Sequence, residues 1–524
     1  MPGFHRWIAA LTLAIVAASA YAELTGPTPL AWRWTQPTAV PPGGEPVVEG
    51  EVVYVAVGGR VYALDKEAGT QRWRYPAGEP MQANFRTGVV LAEGLVIAAA
   101  DNNLVYAVDA RTGAARWQYV APAPVLGTPQ VVGGLLAFAL ADNSLMAINL
   151  SDGTAAWRAP QRVPEGIIGS IATHGGAILM FTQTNELVSI DVTTTRVNWR
   201  TRFSFVEADA RPVVFGDQIF ANSGEFLVCL GAHNGRQRWQ ANTTRPLLRN
   251  PAVSAAGVFV TTLDGRGLLY DLNGRPINRP APPPGAPAPQ VIGLPLLRNE
   301  IDLESQPVAD PRIFGGFVVI PTANGALNLI DIASASIVWS YIARPINRPR
   351  LGDTTRHDFV QAASSPTLAG NTLLMLTRDG SVFAFDRDTG VDLTPPDVQM
   401  LFPNSGEQVS GQPPLEMIWL VSDEGAGINP RSVNVSIDGA AAEFRLLREG
   451  FLVVRIGEGT RNQPLTDGRK SLEVVARDWL GNERRATFTL TIDNTLPPFR
   501  RPGAAPPREG APGRGGGGGL GGMQ

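Results

Sequence analysis

Cysteine is nearly missing from this chain: Cys229 is the only one in 524 residues, so no intramolecular disulfide can form. Its neighbours Leu227, Val228 and Leu230 mark a buried strand, which makes Cys229 a small core residue and not a reactive thiol. Lysine is almost as scarce, since of 44 basic residues only Lys66 and Lys470 are lysine. With 57 glycines and 44 prolines this is the imprint of GC-rich codon usage, and the arginine excess implies no catalysis. Charge is low, at 17 % of residues against 44 % hydrophobic with a net of −3, which excludes a disordered polyanion and a strongly basic nucleic-acid binder. No apolar run reaches the ~20 residues that a bilayer needs. The longest, Trp7 to Ala20, follows Arg6 and precedes Ala20-Tyr21-Ala22, the three-part pattern of a secretory signal peptide over residues 1–22. Glu23 stands where a lipoprotein would need cysteine, so the expectation is an exported, periplasmic or secreted protein without a lipid anchor. Histidine is limited to four: His5 in the signal peptide and His174, His233 and His357 in separate stretches with no metal-ligand spacing. No Gly-x-Ser-x-Gly elbow, phosphate loop or His-Glu-x-x-His occurs, and no catalytic, cofactor-binding or metal-ligating residue is assigned.

What the chain does have is a repeat. VYALDKEAGTQRW ends at Trp73 and VYAVDARTGAARW at Trp117; weaker copies end at Trp157, Trp199, Trp239 and Trp339, and two degenerate ones surround Asp271 and Asp386. The anchors at positions 65, 109, 149, 191, 231 and 271 recur every 40 to 44 residues, the period of four-stranded propeller blades. In each unit the carboxylate of Asp65, Asp109, Asp191 or Asp331 can accept the N–H groups of the following turn, and Gly69 or Gly113 supplies a positive φ. The tryptophan falls on the outermost strand, where an indole fills the wedge between blades and bonds its N–H to backbone. These residues are structural.

Eight units must close into a ring, yet the last, around Asp386, stops without a tryptophan strand. Leu30-Ala31-Trp32-Arg33-Trp34 resembles that missing strand, and Trp34 lies 39 residues before Trp73. Residues 30–36 are therefore expected to complete the eighth blade, with Trp34 in the repeat position. The Ala-x-Asp-x-x-x-Gly-x-x-x-Trp units resemble the repeats of pyrroloquinoline quinone enzymes and their non-enzymatic relatives. The resemblance implies an all-β, eight-bladed β-propeller over residues 23–393. That family includes calcium- and quinone-dependent dehydrogenases as well as the periplasmic propeller of outer-membrane barrel assembly, so fold alone does not choose between oxidoreductase and scaffold. The alcohol-oxidising members would carry a disulfide between adjacent cysteines, which Cys229 alone cannot make.

After Thr394-Pro395-Pro396 the period disappears. Alternation at Val433, Val435 and Ile437, at Leu472, Val474 and Ala476, and at Phe488, Leu490 and Ile492 predicts an antiparallel sandwich over residues 394–497. The stretches from Ser422 to Gly439 and from Ala476 to Asp493 resemble bacterial immunoglobulin-like domains. Asp423, Glu424 and Asp478 could hold calcium, but turn-forming carboxylates explain them. Residues 498–524 are rich in proline, arginine and glycine and have no core to bury.

The repeat is irregular in two places, Arg275 to Gln306 and Ala343 to Ala363, where 60 and 55 residues separate successive anchors. Both are expected to run from an outer strand to the next inner strand and to emerge on one face. Their arginines and histidine, Arg279, Arg298, Arg344, Arg348, Arg350, Arg356 and His357, are interspersed with aliphatic residues, a mixture suited to a protein surface. The resulting expectation is a non-catalytic scaffold with protein partners, no cofactor and no nucleic acid; the alternative is a calcium- and quinone-dependent periplasmic oxidoreductase.

Overall fold

A computed structural model describes residues 26, 28–278, 299–345, 359–447 and 450–498. The chain forms two compact units: one comprises the chain to Pro396 with Asp423–Asn429 and Arg477–Asn482, the other the remainder. Residues 1–22, expected as a signal peptide, and the tail 499–524 lie outside the described residues.

The first unit contains eight four-stranded antiparallel sheets, each built from chain-consecutive strands except the last. Burial follows position in the blade. The second and third strands of blade one, Val52–Val57 and Arg60–Asp65, are almost wholly buried, because both of their faces meet neighbouring sheets. The outer strand of blade two, Ala115–Val120, alternates exposed and half-buried residues, as an edge strand with one wet face should. Blade eight takes Thr367–Ala369, Thr372–Leu376 and Ser381–Asp386 from the end of the repeat and its outer strand, Leu30–Thr35, from the beginning of the chain.

The register of this strand corrects the choice of tryptophan. In blades one and two Trp73 lies opposite Ala63 and Trp117 opposite Ala107, and in blade eight the residue opposite the equivalent Ala384 is Trp32. Trp32 is nearly buried and donates from Nε1 to Lys66 O at 2.7 Å, whereas Trp34 packs edge-on against Tyr62. The same shift in pairing occurs beside Trp73 and Trp117, so the repeat position falls on Trp32, which lies 41 residues before Trp73 and within the 40–44-residue period.

The same indole bond runs around the ring. Trp73 Nε1 donates to Ala110 O, Trp117 to Leu150 O, Trp157 to Val192 O and Trp239 to Leu272 O, each acceptor following the turn anchor of the next blade. The turns explain why this works. Asp65 Oδ1 accepts from Glu67 and Ala68 N–H, Asp109 Oδ1 from Arg111 and Thr112, Asp191 Oδ1 from Thr193 and Thr194, and Asp331 from Ala333 and Ser334. Hydrogen bonds from Arg116, Thr112 and the backbone hold the Asp109 carboxyl far below its ordinary pKa. Gly69 and Gly113 have φ of +66° and +71°, and a Cβ on either would strike the Trp32 or Trp73 ring, so glycine serves both the turn and the docking of the preceding blade. Trp199 sits likewise over Gly235. Trp339 breaks the pattern: fully buried, it donates to Ala426 O at 2.9 Å instead of to the blade-eight turn.

The two long connections also differ from expectation. In blade six Pro276 pairs with Tyr270 and Ile277 N–H bonds to Leu269 O, while Glu300–Asp302 pairs with Arg266, Gly267 and Leu268. The first insertion therefore interrupts the outer strand itself, at the rim of the ring. Its return is fixed by fully buried Glu300, whose Oε1 accepts from Arg245 Nε at 2.6 Å. The second connection does run from an outer strand, Ser336–Ile342, to the next inner strand, Thr367–Ala369.

The second unit has a four-stranded and a five-stranded sheet. Val433, Val435, Leu472, Val474, Leu490 and Ile492 are buried, in line with the alternation, and Trp419 faces Phe488 between the sheets at 6.4 Å. One pair, Gln408–Val409 with the end of Glu483–Ile492, is parallel.

Candidate functional site

The innermost strands of successive blades meet around the ring axis, and a polar residue ahead of a proline recurs there: Glu45-Pro46, Thr128-Pro129, Arg211-Pro212, Asn250-Pro251, Asp310-Pro311 and Ser365-Pro366. Several bond to the blade behind. Thr128 Oγ1 accepts from Gly88 N–H at 3.1 Å, Asn250 Oδ1 from Arg211 N–H at 2.8 Å and Asp310 Oδ1 from Asn250 N–H at 3.0 Å. Charge concentrates in blades five to seven and one, where Arg211 meets Asp310, Arg249 meets Asp209 and Arg312 meets Glu45. Arg249 has φ of +67° where blades three and four place Gly127 and Gly169, a left-handed backbone that costs a non-glycine residue about 1–3 kcal/mol. Each guanidinium has a carboxylate partner, so this cluster knits blades together. The recurring X-Pro dipeptide was the signal for it in the sequence.

A second polar cluster occupies the junction of blades seven and eight. A small cleft there is lined by Leu30, Arg33, Tyr341, Ile342, Arg344, Phe383, Asp423 and Glu424. Arg33 lies over the Phe383 ring at 4.5 Å and donates to Arg344 O at 2.8 Å and Ser381 Oγ at 3.1 Å. Burial lowers its pKa, opposed by Asp379. Tyr341 Oη donates to Glu424 O at 3.1 Å, and its complete burial pushes the phenol far up. Arg344, expected at a loop tip for partner contact, is only 8 % exposed and belongs to this cleft. It comes two residues after the outer strand Ser336–Ile342, where its carbonyl accepts from Arg33.

Beside the cleft the carboxylates of Asp392, Asp423 and Asp478 converge within 4.8 Å, the one group of three metal-capable side chains among the described residues. Three carboxylates would suit a hard cation such as calcium. Backbone and side-chain donors already engage them, however. Asp392 accepts from Thr394 and Ala426, Asp423 Oδ1 from Gly425 and Gly427, and Asp478 from Leu480 and Asn482. Apart from the bond from Ala426, which joins two segments, these are turn caps, as the sequence suggested for Asp423 and Asp478; Asp392 escaped notice because it lies in another segment. Glu424 contributes its backbone oxygen to Tyr341.

Burial raises the Asp423 pKa to about 6, with Asp392 and Asp478 adding repulsion. The folded form thus holds this proton more tightly than the unfolded chain does. The stability it contributes is present at low pH and lost as pH rises through about 6. In chelator-containing buffer Asp423→Asn should therefore raise the melting temperature at pH 7.5 relative to wild type and have less effect at pH 5, measured by thermal unfolding. Equal effects at both values would remove Asp423 from this role.

Arg279, Arg298, Arg348, Arg350, Arg356 and His357 lie outside the described residues. His174 and His233, separate in sequence, are brought together: their ring centroids are 5.1 Å apart. Cys229 is buried, and burial pushes its thiol up to about 11, so it is no nucleophile at neutral pH.

Among known proteins, the family described as outer membrane protein assembly factor BamB matches residues 18–85 and 80–275. BamB of Burkholderia pseudomallei (strain K96243) is 25 % identical over 358 residues, which span 65 % of this chain and 83 % of that protein. The crystal structure of BamB from Moraxella catarrhalis is similar with a TM-score of 0.50 at 15 % identity, over 67 % of this chain and 100 % of that one. A quinohemoprotein alcohol dehydrogenase from Pseudomonas putida HK5 gives a TM-score of 0.48 at 12 % identity, over 72 % and 78 % of the two chains. Among the described residues no helix is long and apolar enough to cross a membrane.

Proposed function

We propose that this chain, which carries an eight-bladed propeller of the pyrroloquinoline-quinone-repeat kind, is a non-catalytic, protein-binding scaffold of the bacterial cell envelope. The observation that supports this most is its likeness to an outer-membrane assembly factor along 83 % of that protein. The pairing of Arg211, Arg249 and Arg312 with carboxylates at the ring axis agrees with it, because charges already engaged with each other favour a rigid frame. On this reading the chain is exported by residues 1–22 and works in the periplasm. The immunoglobulin-like likeness of residues 394–497 gives that region the role of a spacer. Recognition falls to the two insertions, one carrying Arg279 and Arg298 within blade six, the other carrying Arg348, Arg350, Arg356 and His357 between blades seven and eight.

Affinity capture from envelope extract tests this. The full chain should retain components of outer-membrane protein assembly. Shortening 278–299 or 346–358 should diminish capture, whereas removing 499–524 should not. The oxidoreductase alternative is checked on the same preparation by adding pyrroloquinoline quinone and calcium. Saturable cofactor absorbance with dye reduction and turnover would overturn the scaffold reading.

A further inference from the structure

His174 closes the innermost strand of blade four, Ile167–His174, and His233 lies in the turn between Phe226–Gly231 and Gln237–Asn242 of blade five. In an antiparallel blade, first-to-second and third-to-fourth turns fall at the same end, so two histidines 59 positions apart meet on one face. Their centroids are 5.1 Å apart with planes at 61°. His174 Nε2 is shut off from solvent and has no hydrogen-bond partner. A buried ring nitrogen left in this way is costly, and ligating a cation is one of the few roles that compensates it. His233 is exposed, so an ion can reach the pair. The Asp217 carboxylate lies within the electrostatic reach of His233, although Arg238 pairs with it at 2.5 Å.

The spacing fits a metal. Two imidazoles on one tetrahedral zinc, with N–Zn of about 2.0 Å, place their ring centres about 5 Å apart. The centre of an imidazole lies close to its Cβ–Cγ axis. The exposed His233 ring can therefore turn about that bond to aim a nitrogen while keeping the separation.

We propose that His174 and His233 form a two-imidazole site for a divalent transition metal of the zinc class, with water in the remaining positions. This is independent of the scaffold reading, since neither histidine belongs to the insertions.

Calorimetric titration of the full chain with zinc chloride, after chelator removal, tests it. One saturable zinc per chain is expected. His233→Gln should weaken it at least about tenfold, because even outer-shell partners of a ligand are worth about 10–100-fold. His233 is exposed, so this variant should keep the wild-type melting temperature without metal, and its effect reports ligation and not folding. His174→Gln should act alike. Excess calcium should leave zinc bound, because imidazole prefers the softer ion. The proposal is overturned by absence of saturable binding, by unchanged affinity in His233→Gln, or by displacement with calcium, which would place the ion on Asp392, Asp423 and Asp478.

Discussion

A chain lacking residues 23–44 should melt well below the full protein and self-associate. Those residues carry Leu30–Thr35, the outer strand of blade eight, which pairs along Ser381–Asp386. Without it that strand becomes an open edge whose N–H and C=O groups can recruit another chain. The loss includes Trp32, which bridges to blade one through Lys66 O, and Arg33, which covers Phe383. Point variants separate the contributions. Trp32→Ala should cost about 3–5 kcal/mol, the range for removing a buried tryptophan, and Trp34→Ala clearly less, because Trp34 is only half-buried. Chemical denaturation with light scattering measures both effects. An unchanged midpoint in the truncated chain, or a larger loss for Trp34→Ala, would show that the ring closes another way.

Ending the chain at Pro396, the boundary that composition suggests, should be nearly as damaging. Trp339 N–H would lose Ala426 O, Tyr341 Oη would lose Glu424 O, Leu30 N–H would lose Gly425 O, and Ser340 O would lose Trp479 Nε1. Each polar group left buried and unpaired costs about 1–3 kcal/mol, so the sum is several kcal/mol concentrated where the ring closes. Removal of 499–524 is the control and should leave the denaturation midpoint in place. If the chain ending at Pro396 unfolds at the same denaturant concentration as the full protein, the segments Asp423–Asn429 and Arg477–Asn482 contribute nothing to the propeller.

Blade architecture was legible in the sequence because it is local. An aspartate capping its own turn, a glycine at positive φ and a tryptophan eight residues on act within a dozen positions, and repetition every 40 to 44 residues exposes them. Even the closing strand, some 350 residues from its partner, showed through because it carries the same local pattern. Its register did not: Trp32 and Trp34 point to the same side of one strand, their spacings to Trp73 of 41 and 39 residues differ by only two, and the position opposite Ala384 assigns Trp32. The insertion in blade six was misplaced for a similar reason, since length between anchors cannot tell a long loop from a strand that leaves its sheet and returns at Glu300. Arg344 was misjudged because exposure depends on what covers a residue, here the cleft with Tyr341 and Asp423. Periodicity therefore determined the number and kind of blades, whereas tertiary structure alone decided which distant side chains meet: Asp392 with Asp423 and Asp478, Arg33 with Phe383, and His174 with His233. Such meetings depend on how adjoining sheets stack and where their turns end, and no spacing along the chain encodes that.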